Sequence, residues 1–218
     1  MSQPRRPLPV RTRLVLVPLL ALAAVSLVGC DSGPRAPSPR AALAAAKKYL
    51  DATSGVSIDL HTDKLPQGVS GVTDANGVGT HAPAFDGQLT VLVNNLSVKV
   101  PVVSLSGTVY AKLPFTTAFV PLDPSDYGAP DPANLMDPTG GISSWLTAAK
   151  DVKQGDETRD GDTVLATYRG TVPGTAVAAV IPSATKTASF PVTFRLDDKR
   201  RLASADISGP FYGGKGTV

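Results

Sequence analysis

Leu89-Thr90-Val91-Leu92-Val93-Asn94-Asn95-Leu96-Ser97-Val98-Lys99-Val100-Pro101-Val102 reads as two strands folded on a two-residue turn. Leu89, Val91 and Val93 take every second position, and so do Leu96, Val98, Val100 and Val102. That period belongs to strands with one face buried. Asn94-Asn95 between them suits a tight hairpin, because asparagine tolerates the left-handed backbone such turns need. Working outward, Val56, Ile58 and Leu60 alternate with Ser57, Asp59 and His61. The glycine-rich, weakly apolar residues 68–80 predict a loose strand or hairpin. Downstream, Val109 and Ala111 share one face while Thr108, Tyr110 and Lys112 take the other. The first half of the chain is therefore an antiparallel meander with one apolar face.

Upstream, Ser38 is placed to cap a helix with Pro39 at its first position, and Leu43, Ala46 and Leu50 recur at helical spacing until Gly55. Residues 114–138 carry prolines and aspartates at short intervals and predict a long ordered loop. Gly140-Gly141 then leads to a short helix over 142–150 with Trp145, Leu146 and Ala149. Strand patterning resumes near Val152, and Asp160-Gly161 marks a turn before Val164, Ala166 and Tyr168. A small Ala/Val helix follows over 173–181. Phe190, Val192, Phe194 and Leu196 alternate, then residues 202–207; residues 211–218 predict the start of a further, unfinished strand. Several short strands interrupted by three short helices make an α+β domain whose helices cover the apolar sheet face.

The amino terminus gives the chain an address. Arg5, Arg6, Arg11 and Arg13 precede an apolar run from Leu14 to Val28, which closes on Gly29-Cys30. A basic segment, an apolar segment and small residues before a cut form a secretory signal. A cysteine after that cut reads as a bacterial lipobox, in which the thiol takes a diacylglyceryl group. An ordinary signal or a membrane span is the alternative, but the run of about 15 residues is short of the roughly 20 that cross a bilayer. The expected organisation is a signal at 1–29, an acylated Cys30 with a Pro/Ser/Gly tether at 30–39, and one domain at 40–218. The protein is then held at the extracytoplasmic face of the cell membrane.

Removing the signal changes the charge balance. The whole chain has 21 basic and 18 acidic residues, and four of the arginines belong to the signal. The rest is close to neutral, so no basic patch remains for the phosphates of a nucleic acid. Cys30 is the only cysteine, which leaves no thiol for a disulfide or a thiolate metal site. Aromatics are 6% of the chain, so the apolar interior is mostly Val, Ala and Leu.

Catalytic constellations are missing. His61 falls on the polar side of its strand and His81 in a Gly/Pro-rich stretch, both read as surface or turn residues, with no second histidine at metal-ligand spacing. Gly68-Val69-Ser70-Gly71 misses the spacing of a nucleophile elbow. Gly209 to Lys215 matches the start of a phosphate loop, but Gly216 replaces the Ser or Thr that would follow. Asp156, Glu157, Asp160 and Asp162 resemble a calcium loop loosely and are better explained by the Asp160-Gly161 turn. The expectation is a non-enzyme with no catalytic residue, metal or cofactor.

The stretch Asp131-Pro132-Ala133-Asn134-Leu135-Met136-Asp137-Pro138-Thr139-Gly140-Gly141-Ile142 resembles the LppX/LprG family of actinobacterial lipoproteins. In that family a similar loop leads into a short helix between two sets of strands. The likeness extends to Ser106-Gly107-Thr108-Val109-Tyr110-Ala111, to residues 155–162 and to the helix opening at Val172-Pro173. It implies a strongly curved antiparallel sheet, a half-barrel, with short helices on its concave face enclosing an apolar cavity. It also implies an acylated lipid or glycolipid as ligand, carriage of that lipid across the envelope, and a membrane lipid exporter as partner. Strands rich in Val, Ala and Gly suit an unfilled interior, since large side chains would otherwise pack it. Ile58, Leu60, Leu89, Val91 and Val93 are the expected lining on the sheet, opposed by Ile142, Trp145, Leu146, Val177 and Val180 on the helices. Each of these would serve equally in a solid core. The alternative function is an envelope scaffold that docks an exporter or another envelope component.

Overall fold

The computed structural model describes residues 37–127 and 129–218. The expected signal, Cys30 and the expected tether as far as residue 36 lie outside the described residues. Helix α1 spans Pro39–Asp51, its first turn capped by Ser38, whose Oγ accepts from the Ala41 N–H at 3.3 Å. Its buried face carries Ala42, Leu43 and Ala46.

Six strands follow in simple meander order: β1 (Gly55–His61), β2 (Gly71–Thr80), β3 (Ala84–Val93), β4 (Leu96–Leu105), β5 (Thr108–Ala111) and β6 (Val120–Leu122). The opening hairpin has the expected register, with Val93 opposite Leu96 and Val91 opposite Val98. Asn94 and Asn95 take φ of 49° and 64°, the left-handed pair that a two-residue turn requires. Residues 71–80 form one full strand rather than a loose one. The glycines there have a packing reason: Gly77 lies opposite Gly87, and the Phe85 ring rests on that pair so closely that either added Cβ would fall 2.7 Å from it.

After β6 the chain crosses to a second sheet. Residues 114–138 are more structured than a loop, since they hold β6 and two 3-10 turns, Pro124–Tyr127 and Pro132–Met136. Helix α2 (Ser144–Ala148) leads to β7 (Lys150–Gln154), β8 (Thr158–Asp160) and β9 (Thr163–Pro173). Helix α3 (Gly174–Val180), β10 (Ser189–Leu196) and β11 (Leu202–Ile207) complete the chain's elements. The second sheet runs β11-β10-β9-β7, with β8 paired to β9. Two antiparallel sheets thus replace the single curved sheet expected. Past β6 the chain runs through Pro124, Pro130 and Pro132, which cannot donate to a ladder and so do not continue a strand there, and β7 pairs with β9 in the second sheet.

Each sheet has its own core. On the second, Tyr168, Val172, Phe190, Val192, Phe194 and Leu196 face α1, α2 and α3, and the cluster includes Leu43, Trp145, Leu146 and Val177. On the first, a smaller cluster of Phe85, Val102, Val109 and Ala111 gathers Ile58, Leu89, Val100 and Leu122 around it. The turn Pro132–Met136 touches β2, β3 and β4, while its Leu135 packs on the larger core. Residues 211–218 form no strand. Gly209 and Val218 exchange two backbone hydrogen bonds of 2.8 and 2.9 Å, which folds the tail back and buries Phe211.

Candidate functional site

The register of the first sheet sorts its apolar face into rows. At one end, Phe85, Val102, Val109 and Ala111 lie beneath the Pro132–Met136 turn. That turn is pinned by Asp131, whose Oδ1 accepts from the Ala133 N–H at 2.9 Å and from the Ser104 hydroxyl at 2.6 Å. Ser104 is wholly buried, so this bond satisfies a hydroxyl that water does not reach. Toward the other end the same face continues as Leu60, Ala75, Leu89 and Val100, then Val72, Val91 and Val98, then Val93 and Leu96. None of these nine side chains is polar. Leu60, Val91, Val93 and Val98 belong to neither core, and Leu60 and Leu96 are 41% and 69% exposed. The cover is confined to half the sheet because the turn that makes it is only five residues long.

The ten residues expected to line one cavity fall in two places. Ile58, Leu60, Leu89, Val91 and Val93 share the apolar face of the first sheet. Trp145, Leu146, Val177 and Val180 are buried in the larger core, with Ile142 packed against it, and the Trp145 indole N–H donates to the Ala176 carbonyl at 3.1 Å. Two concavities among the described residues, of about 440 and 340 Å³, lie at the covered end of the first sheet beside Val109 and Phe85. Val98 and Val100, which the expected lining does not include, share this face. The sequence carries the signal for this, because they sit opposite Val91 and Leu89 across the Asn94-Asn95 turn.

His81 lies in the β2–β3 turn, in keeping with its Gly/Pro-rich surroundings. Its side chain is half-buried between two covering elements. Its Nδ1 lies 2.6 Å from the Met136 carbonyl and its Nε2 2.9 Å from the Leu50 carbonyl. Nothing near it in sequence announces this, since the partners are 55 and 31 residues away. Lys47 makes a second tie in the same region, with Nζ donating to the Asp51 carboxylate and the Pro138 carbonyl, each at 2.6 Å. Together they fix the end of α1 to the turn that covers the first sheet.

His61 behaves as its strand position predicts, on the polar face. Its Nδ1 is 2.8 Å from Asp74 Oδ1, and Asp63 lies 3.7 Å from Nε2. The hydrogen bond to Asp74 holds the imidazole above its ordinary value of 6.5. The same bond holds the Asp74 carboxyl below its ordinary 3.8. The histidine's contribution is complete below 6.5 and is lost as pH rises through its raised value. The aspartate's contribution is complete above 3.8 and is lost as pH falls through its lowered value. The pair therefore acts most fully between those two ordinary values. A proton NMR titration is expected to place the His61 midpoint above 6.5, and Asp74→Asn to bring it down. A midpoint indifferent to Asp74→Asn contradicts the pairing.

The chain matches the model of the LppX_LprAFG lipoproteins over residues 38–214. It belongs to that family. Two solved structures share the LppX_LprAFG fold at 15% identity. One is LprF from Mycobacterium bovis, with a TM-score of 0.64 over 79% of this chain and 87% of that one. The other is the lipoprotein LppX from Mycobacterium tuberculosis, with a TM-score of 0.55 over 78% of this chain and 91% of that one. No curated protein sequence matches the chain. The family match covers both sheets, and so both the covered and the open half of the apolar face.

Proposed function

We propose that this lipoprotein binds the acyl chains of a lipid or glycolipid on the open apolar half of the first sheet and carries that lipid across the envelope, without covalent chemistry. The observation that carries the reading is the face itself: Leu60, Leu89, Val91, Val93, Val98 and Val100 from three strands, with no polar side chain among them. A soluble domain gains nothing by leaving such a face half uncovered, whereas each methylene laid against it contributes about 0.8 kcal/mol. Acyl chains laid there complete an apolar interior between the sheet and its neighbours. Membership of a lipoprotein family agrees with this, as does the expected signal at 1–29 with Cys30 directly after it.

In this reading residues 1–29 are removed, Cys30 carries the lipid anchor, and the anchor keeps the binder beside its lipid supply. Anchor and binding face are separate parts, so they fail separately. Cys30→Ala is expected to release the protein from cell membranes on fractionation while the purified protein keeps its bound lipid. Loss of bound lipid in that variant would overturn the separation, because the lipid detected would then be the anchor itself.

A further inference from the structure

The loop from β5 to β6 is hard to explain within the chain. Residues 113–119, Leu-Pro-Phe-Thr-Thr-Ala-Phe, are exposed throughout and carry no charge. Leu113, Phe115 and Phe119 are among the exposed large apolar side chains of the described residues, and Phe115 is wholly exposed. Single exposed apolar residues are ordinary, but three on one short loop are not. The loop is nevertheless braced. The Thr116 N–H donates to the Leu113 carbonyl at 3.1 Å, and the Thr116 hydroxyl donates to the same carbonyl at 2.7 Å. That turn has Pro114 at its second position and Phe115 at its third with φ of 68°, where glycine is the usual residue. An aromatic ring is thus held at the apex of a tight turn, at a backbone cost, with no intramolecular contact in return.

Its place in the sheet gives the loop a direction. Ala111 pairs with Val102 and the Lys112 N–H donates to the Pro101 carbonyl, so the chain leaves β5 toward the first residues of β4. The β3–β4 hairpin, with exposed Leu96, is at that same end, and so is the open half of the apolar face. Lys112 stands at the root of the loop, and the next acid along the chain is Asp123, beyond β6.

We propose that this end of the molecule docks on a lipid bilayer, with Phe115, Phe119 and Leu113 entering the headgroup region beside the mouth of the apolar face. Aromatic and aliphatic side chains with hydroxyl neighbours and a flanking lysine suit that interface, where rings sit at headgroup depth and cations meet anionic lipid. The choice of a bilayer over a protein partner rests on the proposed anchor. Only six residues separate Cys30 from the first described residue, so the start of the fold stays within roughly 25 Å of the membrane that holds Cys30. Docking by this end turns the open face toward the bilayer, and a lipid passes between them without crossing water.

The test uses the mature chain, residues 30–218, with Cys30→Ala, which removes its one native thiol, and a bimane label on Thr117→Cys. A second protein carries the label on Lys199→Cys, in the exposed turn between β10 and β11. Both are mixed with vesicles of phosphatidylcholine and phosphatidylglycerol, 1:1, containing a doxyl-lipid quencher. The label at 117 is expected to be quenched and the label at 199 to stay unquenched. Adding Phe115→Asp and Phe119→Asp, two exposed positions, is expected to abolish quenching at 117. Equal quenching at 117 and 199, or quenching at 117 that survives the two aspartates, overturns the docking. Failure of the anchor is read separately, as loss of vesicle flotation by the chain with Cys30 acylated.

Discussion

Phe190→Ala is expected to lower the stability of the folded unit by about 3–5 kcal/mol, measured by urea unfolding, the range for emptying a well-packed aromatic site. Phe190 is wholly buried, directly opposite Val172 on β9, and its ring centre lies 5.0 Å from that of Phe211 at 59°. The surroundings cannot close over the gap. The Phe211 ring lies on one side and the Gly209 backbone on another, so near that an added Cβ there would fall 2.2 Å from the ring. The loss is a large part of the 5–15 kcal/mol that usually separates folded from unfolded. Phe115→Ala supplies the control, since the same deletion on a wholly exposed side chain is expected to change stability by less than about 0.5 kcal/mol. A loss under about 1 kcal/mol for Phe190→Ala would mean the larger core is loosely packed.

Val91→Asp is expected to remove bound lipid while leaving the fold in place. Val91 lies mid-face on the open half, with Val72 opposite on β2 and Val98 opposite on β4. Without lipid an aspartate there reaches water, and the cost to the fold is of the order of 1 kcal/mol. With acyl chains laid over it the carboxylate must either lose its water or take up a proton. A penalty of about 3 kcal/mol already weakens binding a hundredfold. Thr90→Asp is the matched control, one residue along β3 on the polar face, and is expected to leave lipid content unchanged. Equal lipid in the two variants would place the ligand elsewhere.

Alternation made one sheet legible almost residue by residue. Asn94-Asn95 set the register of β3 on β4, and that register in turn decides that Val98 and Val100 share a face with Val91 and Leu89. Local signals also placed α1, since Ser38 and Pro39 act within one turn. The allocation of strands to two sheets was not legible, because a period of two reports which residues share a face and says nothing of which strand lies beyond the edge. The cover of the first sheet was hidden for a related reason. The Pro132–Met136 turn is held by Ser104–Asp131 and by His81, contacts that span 27 and 55 residues, and no local pattern encodes them. This is also why the expected lining split in two. Trp145, Leu146, Val177 and Val180 have the apolar character of a cavity wall and of a solid core alike, and only the tertiary structure assigns them to the core.

The central claim is that the open half of the first sheet holds acyl chains. Mass spectrometry under native conditions, on protein purified without detergent, tests it most directly when wild type and Val91→Asp are run side by side. The account predicts that wild type carries an added mass that fragments to an acylated lipid, and that Val91→Asp carries none. Wild type free of added mass, or the same lipid on both proteins, would contradict it.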